Sequence, residues 1–146
     1  MALVALERTT PLGPVEAWER LVDWERHGAF VPCTRLTVTT APPVGRGTRL
    51  VARTAIGGLG VDDPMEIVEW VPPQEDRAGH CRLEKRGTWV RGWAEIHVRP
   101  DPRGSRVSWR EEIRVRGVPS WGDPLLAAAG RSTFGRTVNG LLRGRR

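Results

Sequence analysis

Asp123–Leu142 reads DPLLAAAGRSTFGRTVNGLL, and it is the one long helical period in the chain. Asp123 can accept hydrogen bonds from the first free backbone N–H groups, and Pro124 follows where its missing N–H costs nothing. Ala127, Gly130, Phe134, Val138 and Leu141 recur at spacings of three and four, which is one face of a helix. That face is built of small residues around one large aromatic. It suits close approach to a curved sheet better than knobs-into-holes packing on another helix. Nearly everything upstream reads as strand, so the expected arrangement is a sheet wrapped around this helix.

Working outward, Ala2–Arg8 is short and apolar and predicts a first strand. Pro11–Pro14 is a break. Pro14 opens a helix over Val15–Trp24, with Val15, Trp18, Leu21 and Val22 on one face and Glu16 and Glu19 near its positive end. Arg26–Gly28 interrupts it, and a short second turn over Ala29–Val31 stops at Pro32. Strands are then expected over Arg35–Thr40, Thr48–Ile56, Met65–Val71, Gly79–Lys85, Trp89–Val98 and Arg106–Arg116, separated by Pro- and Gly-rich breaks. Asp62, Asp63 and Pro64 follow the Gly57–Gly60 hairpin and read as part of its turn. The last strand alternates most cleanly, with Val107, Trp109, Glu111, Ile113 and Val115 on one side and Ser108, Arg110, Glu112, Arg114 and Arg116 on the other. Strands close in sequence and joined by turns favour an antiparallel sheet. Helical regions separated by strands imply an α+β fold in one domain over 1–146.

The composition narrows the function classes. With 146 residues, 39% of them hydrophobic, the chain can bury a core of its own. No apolar run reaches bilayer-crossing length, and MALVALERTT lacks the basic start and apolar length of a signal peptide. A cytoplasmic protein without stable membrane insertion is therefore expected. The net charge is +6, and only one basic residue, Lys85, is a lysine. The arginines are spread out rather than gathered on one face with stacking aromatics, so no nucleic-acid partner is expected. Arg143, Arg145 and Arg146 close the chain, where positive charge complements a helix C-terminus. Cys33 and Cys81 read as two reduced, mostly buried thiols, and no metal or other cofactor is expected.

The order of elements is that of a helix grip, and two groups of residues carry a resemblance. Pro14-Val15-Glu16-Ala17-Trp18-Glu19-Arg20-Leu21-Val22-Asp23 resembles the opening of the START-like, or SRPBCC, superfamily. Gly45-Arg46-Gly47-Thr48 and Gly104-Ser105-Arg106-Val107-Ser108-Trp109-Arg110-Glu111-Glu112 are similar to its bacterial polyketide cyclase/dehydrase-like group. The resemblance spans the whole chain, on fold residues and not on a catalytic signature. It implies a seven-stranded antiparallel sheet curved around the C-terminal helix. It also implies a cavity between the two for a hydrophobic ligand, with the short helices at its mouth.

Glu111 is the candidate catalytic group. It shares the apolar side of its strand, so a carboxylate facing the cavity would be desolvated and available as an acid or base. The alternatives are an ion pair with an arginine or a strand end that reaches water. Trp109 and Ile113 on the same row, Leu50, Ala94 and Ile96 on neighbouring strands, and Ala127, Gly130, Phe134 and Val138 on the helix are the candidate ligand-binding residues. His27 joins them from the mouth, although a lone histidine is expected in a surface role. Trp93 has the parity opposite to Val90, Ala94, Ile96 and Val98 and is expected on the convex face. Three functions follow: binding of a small hydrophobic or aromatic molecule by a monomer or homodimer; a cyclase or aromatase acting on a polyketide-like substrate through Glu111; and an interaction module using Trp93 and Trp121.

Overall fold

The computed structural model describes residues 2–143. Among them seven strands form one antiparallel sheet in the order β1-β7-β6-β5-β4-β3-β2. The strands are β1 (Ala2–Thr10), β2 (Thr34–Val38), β3 (Arg49–Ile56), β4 (Leu59–Val71), β5 (Gly79–Lys85), β6 (Val90–Asp101) and β7 (Gly104–Val115). Two short helices, α1 (Pro14–Leu21) and α2 (Trp24–His27), follow β1, and the long α3 (Asp123–Arg143) closes the described chain. This is the expected α+β helix-grip arrangement. Arg145 and Arg146 lie outside the described residues.

Several boundaries differ from the sequence reading for local reasons. The first helix ends at Leu21 and restarts at Trp24 instead of running through, which buries Trp18, Leu21 and Trp24 and leaves Val15 at the surface. β4 begins at Leu59, so Asp62, Asp63 and Pro64 belong to a strand and not to a turn. Pro64 is tolerated because its carbonyl, and with it the side where its N–H is missing, faces the end of β5, where it accepts from Arg86 N–H at 2.7 Å. Cys81 is buried, and burial pushes its thiol up to about 12, but Cys33 is exposed rather than buried; both are unbridged.

The sheet is apolar on its inner face. Leu50, Ile67, Leu83, Ala94, Ile96, Val98, Val107 and Trp109 all lie there with little exposure, joined by Trp18, Leu21 and Trp24 from the short helices. Trp93 has the outer parity, half-buried, with the Arg82 guanidinium 4.7 Å from its ring centre.

α3 does not lie centrally under the sheet. It packs chiefly along β1 and touches α1 and α2. Glycine makes this close approach possible. A Cβ on Gly130 would stand 2.7 Å from Val4 Cγ2, and one on Gly140 would overlap the Phe30 ring. Gly130 is thus where the helix seats on β1, and Val4 there is fully buried. Gly130→Leu is expected to destabilise the protein by about 1–3 kcal/mol through overpacking, whereas Leu at the exposed Ala128 shifts stability by less than about 0.5 kcal/mol. Urea midpoints of the two variants make the comparison; equal midpoints would contradict the seating of α3 on Val4.

Candidate functional site

Because α3 sits towards β1, the inner face of the other strands is only partly covered. A cavity of about 360 Å³ opens there, walled by residues of β2 to β7, of α2 and of α3, with no contribution from β1. Its apolar wall includes Trp24, Leu36, Leu50, Met65, Leu83, Ala94, Ile96, Trp109 and Phe134. Trp109 and Phe134 stack with ring centres 5.5 Å apart, tying β7 to α3 and forming one side of the space.

Three charged side chains interrupt this wall: Asp63 from β4, Lys85 from β5 and Glu111 from β7. Lys85 Nζ lies 2.6 Å from Asp63 Oδ2 and 3.1 Å from Glu111 Oε2. The side chains of Lys85 and Glu111 are only 4% and 5% exposed, so the trio is an interior feature and not a surface salt bridge. Glu111 Oε1 accepts a hydrogen bond from Trp109 Nε1 at 3.0 Å. Burial by itself would lower the Lys85 pKa, but the carboxylates of Glu111 and Asp63 outweigh it and hold the ammonium above its ordinary value. Burial pushes the Asp63 carboxyl up, with Lys85 pulling it down and Glu111 adding to the rise.

His27, the last residue of α2, is buried, contrary to the surface role expected for it. The break in the first helix turns α2 inward, and the imidazole lies between Trp24 and Trp109, with ring centres 5.1 and 5.6 Å away. Its Nε2–H donates to the Leu21 carbonyl at 2.7 Å, which fixes the neutral tautomer. Burial lowers its pKa from 6.5 to about 4, against smaller opposing effects of the Leu21 carbonyl and Asp23.

The cavity gathers His27, Leu50, Ala94, Ile96, Trp109, Glu111 and Phe134 of the residues singled out from sequence. Ile113, Ala127, Gly130 and Val138 lie outside it. Ile113 and Val138 are buried, Gly130 meets β1, and Ala127 is half-buried on the same helix. Glu111 faces the space with a partner, but that partner is the lone lysine and not an arginine. Sequence reasoning missed Lys85 and Asp63 as site residues. A signal existed for Lys85, which has the inward parity of Cys81 and Leu83 on its strand.

No family model matches the chain, and no curated protein does. Solved structures do match it along nearly its whole length. A START superfamily protein from Mycobacterium smegmatis is 12% identical, with a TM-score of 0.74 over 98% of this chain and 98% of that one. A STAR-related lipid transfer protein from Xanthomonas axonopodis is 15% identical, with a TM-score of 0.69 over 96% and 85%. The Zhui aromatase/cyclase from Streptomyces sp. R1128 is 13% identical, with a TM-score of 0.66 over 97% and 91%. The fold is START-like.

Within this START-like fold no helix among the described residues is long and apolar enough to cross a membrane, and no group of His, Cys, Asp and Glu among them is arranged to hold a metal ion. The buried imidazole makes stability depend on pH. Between 6.5 and about 4 the unfolded chain takes up a proton that folded His27 refuses, so stability is lost as pH falls through that window. The loss is about 3 kcal/mol. Asp63 acts in the opposite direction in acid, since its raised carboxyl binds a proton more readily when folded. Comparing the protein with His27→Gln isolates the histidine. Urea unfolding at a series of pH values is expected to show a steeper acid loss in the parent, and identical profiles would contradict the burial of a neutral imidazole.

Proposed function

We propose that the protein binds a small hydrophobic or aromatic molecule in the cavity between sheet and C-terminal helix. The observation that carries this reading is the largely apolar space of about 360 Å³, within the range of roughly 300–1,000 Å³ common for ligand sites. Trp24, Trp109 and Phe134 offer aromatic surface, and the trio of charged groups offers a polar end. The names of similar structures, which include a lipid transfer protein and an aromatase/cyclase, are in keeping with an apolar occupant.

Catalysis by Glu111, in the manner of a cyclase or aromatase, has less support. Both of its carboxylate oxygens already have partners, Trp109 Nε1 and the Lys85 ammonium. A group so engaged is a poor general base until one partner leaves. The geometry favours a role for Glu111 in holding Lys85.

Ala94 lies on the cavity wall and is 5% exposed. Ala94→Phe places a ring in the space. Naphthalene, titrated calorimetrically into the parent protein, is expected to bind, and into Ala94→Phe to bind about tenfold more weakly or worse, since filling the site removes more than about 1.4 kcal/mol. Unchanged affinity in the variant, with its thermal midpoint retained, would place the ligand elsewhere.

A further inference from the structure

We infer that the polar end of the ligand is a hydrogen-bond donor, an amine or a hydroxyl, received by Asp63, and that the cavity disfavours a carboxylate. The inference rests on the binding function proposed above and adds the chemical class of the occupant. Its basis is the donor and acceptor count around Lys85. The two carboxylates present four oxygens. Asp63 Oδ2 and Glu111 Oε2 take Lys85 Nζ, and Glu111 Oε1 takes Trp109 Nε1. The Lys85 ammonium also approaches Met65 Sδ at 3.8 Å, a weak acceptor. Asp63 Oδ1 is shielded from solvent and has no hydrogen-bond partner among the described residues. A buried acceptor left unmade is costly, and since Oδ1 has almost no accessible surface as placed, a ligand donor gains what the empty site lacks once the Asp63 side chain turns to meet it.

Charge points the same way. Two carboxylates face one ammonium, an excess of one negative charge when both are ionised, inside an apolar wall that screens little. Burial is the main cause of the raised Asp63 carboxyl, and the Glu111 charge adds to the rise. His27, the other titratable group on the wall, is neutral near pH 7. The neighbouring charges on these strands belong to the outer face, where Asp62 pairs with Arg53 at 2.8 Å and Glu84 with Arg86 at 3.1 Å. In a chain rich in arginine, no arginine among the described residues lines the cavity. A carboxylate ligand would therefore find no guanidinium to receive it. It would meet a lysine already engaged by two carboxylates, together with one donor unpartnered among the described residues, the neutral indole Nε1–H of Trp24.

Four ligands of one shape test this: naphthalene, naphthol, naphthylmethylamine and naphthoic acid, each titrated calorimetrically into the full chain at neutral pH. Naphthol and naphthylmethylamine are expected to bind at least about tenfold more tightly than naphthoic acid. In Asp63→Asn, which removes the charge with little change of shape, the preference is expected to shrink towards parity. Naphthoic acid binding as well as the two donors in the parent protein would overturn the inference, and so would a preference fully retained in Asp63→Asn. Naphthalene binding without discrimination among the other three would overturn it while leaving the cavity's binding role standing. Failure of all four to bind would overturn both. The comparison in the parent protein decides the matter even if the variant does not fold.

Discussion

Lys85 held between Asp63 and Glu111 is the interaction around which the open half of the molecule is arranged. Removing three charges from water costs several kcal/mol for each ion before their attraction offsets it. That attraction needs β4, β5 and β7 to present their side chains to one point, although β6 lies between β5 and β7 in the sheet. Lys85 bridges this gap because its flexible stem lets the ammonium reach both neighbours. The cluster is itself covered, with Lys85 and Glu111 only 4% and 5% exposed. The space beside it is left by the seating of α3 towards β1.

The opposite half shows what close packing looks like in the same protein. At β1, Gly130 brings α3 against Val4 with no room for a further carbon. Only a few residues further along α3, Phe134 and Thr137 face the cavity. The helix is thus seated at one edge and stands away from the sheet at the other. Trp109 joins the two regimes, stacking on Phe134 while its Nε1–H donates to Glu111. A change that loosened the Gly130 contact would alter the cavity without touching its wall.

Much of this was legible in the sequence wherever a local period decides the outcome. The alternation of Val107, Trp109, Glu111 and Ile113 gave the inward row of β7, and all four are buried. The three-and-four spacing gave α3, but a period shows a face and not what meets it. Gly130 therefore reads as a ligand-binding position, whereas it is the contact with β1. Asp62-Asp63-Pro64 carries the composition of a turn, and only pairing with β3 shows it to be strand. Lys85 was conspicuous as the one lysine, yet its value depends on carboxylates more than twenty residues away in either direction. Such long-range partners are fixed by sheet register, which no local pattern states. His27 was misplaced because the interruption of the first helix comes at Val22–Asp23, earlier than the Arg26–Gly28 break the sequence suggested.

The most direct measurement uses the fact that Lys85 has no other lysine to be confused with. Isotope-labelled lysine gives a single side-chain nitrogen signal by NMR, which can be followed as pH rises. A Lys85 ammonium held by two buried carboxylates keeps its proton beyond the ordinary lysine value of 10.5 for as long as the protein stays folded. A nitrogen that titrates at or below 10.5 in the folded protein would contradict the buried trio, and with it the charged end of the cavity.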